Sequence, residues 1–206
     1  MKKISWIAAA LFGWSVSAGA EPSDRLVAPP YPAQPAWKQI KDLHNAFMGA
    51  AEWIPSDQDE KDIRDTLSIQ HISLKMPASL FVSSRFEGLS QACGSLRING
   101  PIRQMENGYD TAYGQAYCVN EKGTGRDIDL FLKTITGKDA LYTIQRQFRR
   151  PTEPGEQPGV RHFGLGQEEL AKTALDAQKT ANDYLQQVRL CPADKTDCPA
   201  TSPSQP

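Results

Sequence analysis

The chain lacks an uninterrupted apolar stretch of the ~20 residues that a membrane-spanning helix requires. Its longest apolar run, from Ile4 to Val16, is shorter than that. The chain also lacks an excess of charge of either sign, because 23 Lys and Arg residues face 24 Asp and Glu residues. No global field therefore attracts nucleic acid or anionic lipid. We expect no transmembrane segment in the mature protein and no nucleic-acid partner.

Recognisable catalytic and metal-binding motifs are also missing. The sequence contains no H-E-x-x-H, no G-x-S-x-G and no G-x-x-x-x-G-K-[ST] pattern. The three histidines, His44, His71 and His162, do not have the spacing of metal ligands. The glycine-rich run Lys122–Gly125 predicts a hairpin turn instead of a phosphate loop. We therefore predict no metal site, no cofactor and no catalytic residues.

What the chain does have is an N-terminal export signal. Lys2 and Lys3 precede the apolar run, and Ala18, Gly19 and Ala20 form an A-x-A-like cleavage site. No cysteine stands at this site for lipid attachment. We expect cleavage near Ala20 and a bacterial protein that is periplasmic or secreted.

Four cysteines lie in the exported part: Cys93, Cys118, Cys191 and Cys198. An oxidising compartment lets thiols pair, and four cysteines allow three pairings that spacing alone does not distinguish. We favour Cys93–Cys118 and Cys191–Cys198, because each bond joins segments that the predicted elements bring together. A redox centre is disfavoured, since no C-x-x-C spacing occurs.

Composition divides the chain into four parts. These are a signal peptide (1–20), a proline-rich extended leader (21–36), a single domain (37–190), and a disulfide loop with a disordered tail (191–206).

Within the domain, the hydrophobic periodicity predicts helices and strands in succession. Helical spacing of Ile40, Leu43 and Phe47 favours a helix over 37–53, and alternation predicts a strand at Leu67–His71. A helix is predicted over about 77–93 and a long, alanine-rich C-terminal helix over about 167–189. Between them, turn signals such as Asn99-Gly100-Pro101 and Asn107-Gly108 divide residues 95–150 into an antiparallel meander. The predicted fold class is α+β, with a sheet of about four to six strands packed with both helices.

One predicted strand has a face made of small residues. After the turn Asn107-Gly108, that face carries Ala112, Gly114, Ala116 and Cys118. Small side chains let a helix approach closely, so we expect the 77–93 helix to cover this face. Cys118 would then meet Cys93.

Two groups of side chains are candidate binding residues. Tyrosines recur at every second position of the opposite face of that strand and could stack on a ligand or a partner; the alternative is that they belong to the core. Arginines cluster at the end of the meander and could hold a carboxylate or phosphate; the alternative is a charged, solvated edge. The candidates are Tyr109, Tyr113, Tyr117, Arg146, Arg149, Arg150 and Arg161.

Three short patterns together resemble a family of small exported bacterial proteins of unknown function. They are Glu52-Trp53-Ile54-Pro55 followed by Asp57-Gln58, Ala116-Tyr117-Cys118, and the run 141–149. The resemblance covers roughly residues 37–190. It implies bacterial export and an α+β domain, and it brings no catalytic residues. The order of elements is also similar to the Mog1/PsbP-like sandwich, an analogy of fold alone.

These observations favour a non-enzymatic periplasmic or secreted binding module for an envelope protein or small ligand. One alternative is a small envelope hydrolase that uses His71 or His162 with a nearby carboxylate. Another is an inhibitor or immunity protein of an envelope enzyme, which would use a protruding loop at 151–158.

Overall fold

The computed structural model describes residues 23–29, 36–153, 155, 157–159 and 168–194. These residues contain strands and helices in the following order. They are β1 (Asp24–Val27), β2 (Trp37–His44), β3 (Met48–Pro55), β4 (Asp65–Ile72), α1 (Ala78–Ala92), β5 (Cys93–Glu106), β6 (Tyr109–Glu121), β7 (Arg126–Thr136), β8 (Leu141–Pro151), α2 (Glu168–Gln187) and β9 (Arg189–Pro192).

Seven strands form one antiparallel sheet, and β1 pairs with β9 in a second sheet of two strands. The order in the large sheet is β2-β3-β4-β8-β7-β6-β5. Short turns join β5 to β6, β6 to β7 and β7 to β8, and Asn107 and Gly108 have φ angles of 51° and 84° at the β5–β6 turn. Two residues with positive φ match the right-handed twist of a hairpin. The expected hairpins β5–β6, β6–β7 and β7–β8 are all present.

The predicted fold class is wrong. The described chain is mostly β and sandwich-like, with seven strands in the large sheet where we expected four to six. Helix α2 is not a long helix laid along the sheet: its side chains between Ala171 and Thr180 are exposed or only half-buried. Its last turns, from Ala181, carry the buried residues. Strands, not helices, therefore organise this domain.

The helix expected over 37–53 is also wrong, because β2 and β3 form a hairpin there. Its turn is held by Asn45, whose side-chain Oδ1 accepts hydrogen bonds from the backbone N–H groups of Phe47 (2.9 Å) and Met48 (3.0 Å). Such Asx turns reverse the chain locally. A second difference lies at Asn99–Pro101, which is a register irregularity inside β5 instead of a turn between strands.

The core has two halves because β7 is buried on both faces. Ile128, Leu130 and Leu132 point to the face beneath α1, and Phe131 and Ile135 point to the other face. That second half is completed by residues from the chain's C-terminal part: Ala181, Tyr184, Leu185, Val188 and Leu190.

The predicted contact between the small face of β6 and α1 is confirmed. A Cβ atom at Gly114 would lie 2.5 Å from Cζ of Phe86 and 2.7 Å from Cγ1 of Val82, so only glycine permits this approach. Cys93, at the end of α1, forms a disulfide with Cys118 across the same contact, with a Cα–Cα distance of 5.5 Å.

The pairing of Cys191 with Cys198 stays a prediction. Cys191 lies on β9, is buried and is disulfide-bonded, whereas Cys198 lies outside the described residues. The signal peptide, half of the proline-rich leader and the tail also lie outside them, although β1 falls within the leader. Neither helix in the described part of the chain is long and apolar enough to span a membrane.

Candidate functional site

The row of tyrosines on β6 is tied into the fold by hydrogen bonds. Tyr109 is buried, and its hydroxyl donates to Oδ1 of Asp24 on β1 at 2.7 Å. The hydroxyl of Tyr113 donates to Oε1 of Glu106 at 2.6 Å.

Tyr117, the third tyrosine, is half-buried. Its hydroxyl donates to Oε1 of Gln115 at 3.2 Å, and its ring meets Phe131 edge-on. A Cβ atom on Gly159 would lie 3.3 Å from this ring, so the segment 157–159 approaches it closely. The three tyrosines therefore share one sheet face without forming an open row; their role in binding stays a prediction.

Burial of the phenols has a consequence at alkaline pH. Burial and the carboxylate of Asp24 raise the pKa of Tyr109, burial and Glu106 raise that of Tyr113, and burial raises the pKa of Tyr142 to about 12. A raised pKa means that the folded state keeps its proton when the unfolded chain has lost it.

We therefore expect the free energy of unfolding to be fully retained below about pH 10, the ordinary tyrosine pKa, and to fall as the pH rises toward 12. Ultraviolet titration of phenolate should show three of the six tyrosines ionising only with unfolding. In the variant Tyr113→Phe, only two tyrosines should ionise with unfolding. Six tyrosines titrating together near pH 10 in a folded protein would contradict this expectation.

The arginine candidates are paired within the sheet. Arg146 donates from Nε and Nη2 to the two carboxylate oxygens of Asp65, at 3.1 and 2.8 Å. Its guanidinium also lies over the rings of Trp37 and Phe148, 5.2 and 4.9 Å from their centroids. This bidentate, stacked arrangement occupies the fork that a ligand carboxylate would need.

Arg149 and Arg150 contact different residues. Arg150 pairs with Oδ2 of the buried Asp127 at 3.0 Å. Arg149 is half-buried, and its backbone N–H donates to the carbonyl of Arg64. Arg161 lies outside the described residues. Whether any of them binds an anion stays a prediction.

A buried lysine that the sequence analysis missed links three parts of the fold. Lys133 on β7 is 0% exposed, and its Nζ donates to Oε2 of Glu106 and to the carbonyl of Val188, both at 2.6 Å. It also lies 4.8 Å from the centre of the Tyr113 ring. Burial lowers the pKa of Lys133, and Glu106 opposes that shift. The network joins β5 and β7 to the segment after α2.

Two of the three histidines meet on the sheet. His44 and His71 have ring centroids 6.4 Å apart, and Tyr142 lies 6.2 Å from His71 on its other side. Burial and His44 lower the pKa of His71. Within the described ranges no carboxylate is within hydrogen-bond distance of His71. The hydrolase hypothesis stays a prediction, and His162 lies outside those ranges.

The most open feature of the sheet is its edge strand β5, which we call the β5 edge (Cys93–Glu106). It contains 14 residues and is the last strand in the sheet order. Three large apolar side chains on it are exposed: Ile98 at 42%, Ile102 at 65% and Met105 at 64%. An edge strand also presents unpaired backbone N–H and C=O groups to its surroundings.

Charge and geometry divide the β5 edge into two segments. The irregularity between Asn99 and Ile102 contains Pro101, which has no N–H to donate. Arg97 and Arg103 are exposed on either side of it, and Arg103 pairs with Asp110 through a 2.6 Å contact. The opposite edge, β2, is shorter, with eight residues. The β5 edge is therefore the longer, more apolar and partly cationic boundary of the sheet.

No protein-family model matches the chain, and no curated protein matches it. Among solved structures, the chain is similar to LpqN, described as involved in cell envelope biogenesis of Mycobacterium tuberculosis. The identity is 13%, the match covers 85% of this chain and 88% of the LpqN chain, and the TM-score is 0.46. The Cys93–Cys118 disulfide is itself compatible with an exported protein.

Proposed function

We propose that this protein is an exported, non-enzymatic binding module that takes up an extended segment of a partner protein along the β5 edge. The observation that carries the proposal is that the last strand in the sheet order of the described residues is long and has three exposed apolar side chains. The oxidised Cys93–Cys118 pair and the signal-like N-terminus support export.

Edge backbone of this kind is best satisfied by another strand. Peptides that add a strand to a sheet gain affinity from main-chain hydrogen bonds and specificity from alternate side chains. At the β5 edge, Ile102 and Met105 are each about two-thirds exposed. They are the side chains that a neighbouring strand would cover.

The charges on this strand indicate the chemistry of its occupant. Arg97 is exposed and is not offset by an acidic neighbour on its own strand before Glu106. Complementary charge favours encounter and fixes register. We therefore expect an extended partner segment that combines apolar side chains with an acidic residue.

Position-specific photo-crosslinking in the native host tests this proposal. A photoreactive phenylalanine analogue is placed at Ile102 or Met105, and at Leu175 of α2 as the matched control, because Leu175 is 65% exposed as well. We expect the β5 positions to give one discrete adduct with a different protein and the control to give none. Equal labelling from Leu175, or no adduct from β5, would overturn the proposal.

A substitution then tests the contact with the purified partner. Ile102→Lys places a charge on the edge, which is how natural sheets discourage strand addition. We expect binding to weaken by about tenfold or more, as for a side chain at the centre of an interface, while Leu175→Lys leaves it unchanged. An adduct of two copies of this chain would show self-pairing and contradict a separate partner. Turnover of a substrate that is lost in His71→Ala would contradict the non-enzymatic assignment.

A further inference from the structure

The register of three strands brings two histidines to the same place on the sheet. His44 on β2 is opposite Gly49 on β3, and Gly49 is opposite His71 on β4. Residues that are directly opposite in antiparallel strands project to the same face. The glycine therefore separates two imidazoles without a side chain of its own.

Both imidazoles lean over that glycine. A Cβ atom built on Gly49 would lie 2.8 Å from Nδ1 of His71 and 2.9 Å from Nδ1 of His44. It would also lie 2.2 Å from Cε1 of His71, closer than real Cβ contacts allow. The two Nδ1 atoms thus lie less than 6 Å apart, and only the missing side chain leaves room for the two rings.

A carboxylate lies beside the other ring nitrogen of His44. Nε2 of His44 lies 2.7 Å from Oδ1 of Asp42. A carboxylate that accepts the Nε2–H of a histidine favours the tautomer with a free lone pair on Nδ1. Metal-binding histidines are commonly oriented in this way by an acidic partner.

From this convergence we infer that Nδ1 of His44 and Nδ1 of His71 bind a late first-row divalent cation, such as Cu²⁺ or Zn²⁺, above Gly49. Imidazole nitrogen suits these ions. The ring atom of His71 nearest to Gly49 is Cε1, so this ring must rotate to turn Nδ1 towards a shared ion and reach a metal–nitrogen distance of about 2.0–2.1 Å. No cluster of three or more histidine, cysteine or acidic ligands occurs among the described residues. Water therefore completes the coordination, and the exposed His44 gives access from solvent.

Titration of the purified exported chain with Cu²⁺ tests the site, with electron paramagnetic resonance to count the bound nitrogens. We expect one ion with two imidazole nitrogens in the native protein. His44→Ala should weaken binding by at least about tenfold, because losing a residue that only supports a metal ligand already lowers metal affinity by that factor. It should also remove one nitrogen from the spectrum. His162→Ala is the matched control and should leave affinity and spectrum unchanged.

One further variant and one competition experiment keep the test decisive even if His71→Ala destabilises the sheet. Asp42→Asn should weaken binding less than His44→Ala does, because it affects only the orientation of His44. Zn²⁺ should compete with Cu²⁺ in the native chain and not in His44→Ala. If His44→Ala binds Cu²⁺ as tightly as the native protein, with an unchanged spectrum, the two histidines are packing residues and the inference is wrong.

Discussion

Replacing Glu106 by leucine is expected to lower the free energy of unfolding by about 3–5 kcal/mol, the usual cost of removing one partner from a buried ion pair. Lys133 is fully buried, and Glu106 is 14% exposed, so water cannot replace the lost carboxylate. Tyr113 would lose its hydrogen-bond acceptor in the same variant. Urea-induced unfolding followed by circular dichroism measures the loss.

Matched variants separate the buried charge from the lost packing. Lys133→Met in the Glu106→Leu background removes the isolated ammonium, and we expect it to restore a large part of the stability. Glu87→Leu, on the exposed side of α1, removes a carboxylate that is not buried and should change stability by less than about 0.5 kcal/mol. If Glu106→Leu lowered the free energy of unfolding as little as Glu87→Leu does, the contact between Lys133 and Glu106 would not stabilise the fold.

Removing the Cys93–Cys118 disulfide is expected to cost about 3 kcal/mol, because the bond closes a loop with a sequence separation of 25 residues and restricts the unfolded chain. For a domain of this size, that corresponds to a fall in melting temperature of about 6–12 °C. The double variant Cys93→Ala/Cys118→Ala, followed by calorimetry, measures it.

A reductant provides the control for this loss. Reduction of the native protein opens both this bond and the disulfide of Cys191, whereas reduction of the double variant opens only the latter. The difference between the two experiments isolates the Cys93–Cys118 bond. Equal melting temperatures for the native protein and the double variant would show that α1 and β6 are held together without it.

The parts of the fold that were predicted correctly depend on local signals. Asn107-Gly108 requires positive φ at a turn, and the alternation of small residues on β6 specifies which face a helix can approach. Both signals lie within a few residues of the structure that they determine. The contact of Cys93 with Cys118 followed from them.

The errors arose where one pattern fits two structures. Ile40, Leu43 and Phe47 have helical spacing, yet Asn45 places an Asx turn between them and turns the segment into a hairpin. The C-terminal stripe of alanines indicates that α2 is helical, but periodicity does not reveal how much of a helix is covered. Only its last turns are buried, so strands dominate the fold.

The environments of the candidate residues could not be predicted, because their partners are distant in sequence. Three aspartates from other strands pair with the candidate side chains. Asp24 accepts a hydrogen bond from Tyr109, Asp65 pairs with Arg146, and Asp127 pairs with Arg150. Lys133 offered one signal, a lone cation in the mostly apolar run 128–135 of a strand buried on both faces. The convergence of His44 and His71 offered none, since it depends on strand register.

Amide hydrogen exchange on the complex with the crosslinked partner tests the central claim most directly. In strand addition, alternate backbone N–H groups of the β5 edge become hydrogen-bonded to the partner. We therefore predict new protection at alternate amides of Ile102–Glu106 and no change in β2, the other edge of the same sheet. Protection that leaves β5 unchanged and falls on another surface would contradict the proposed binding mode.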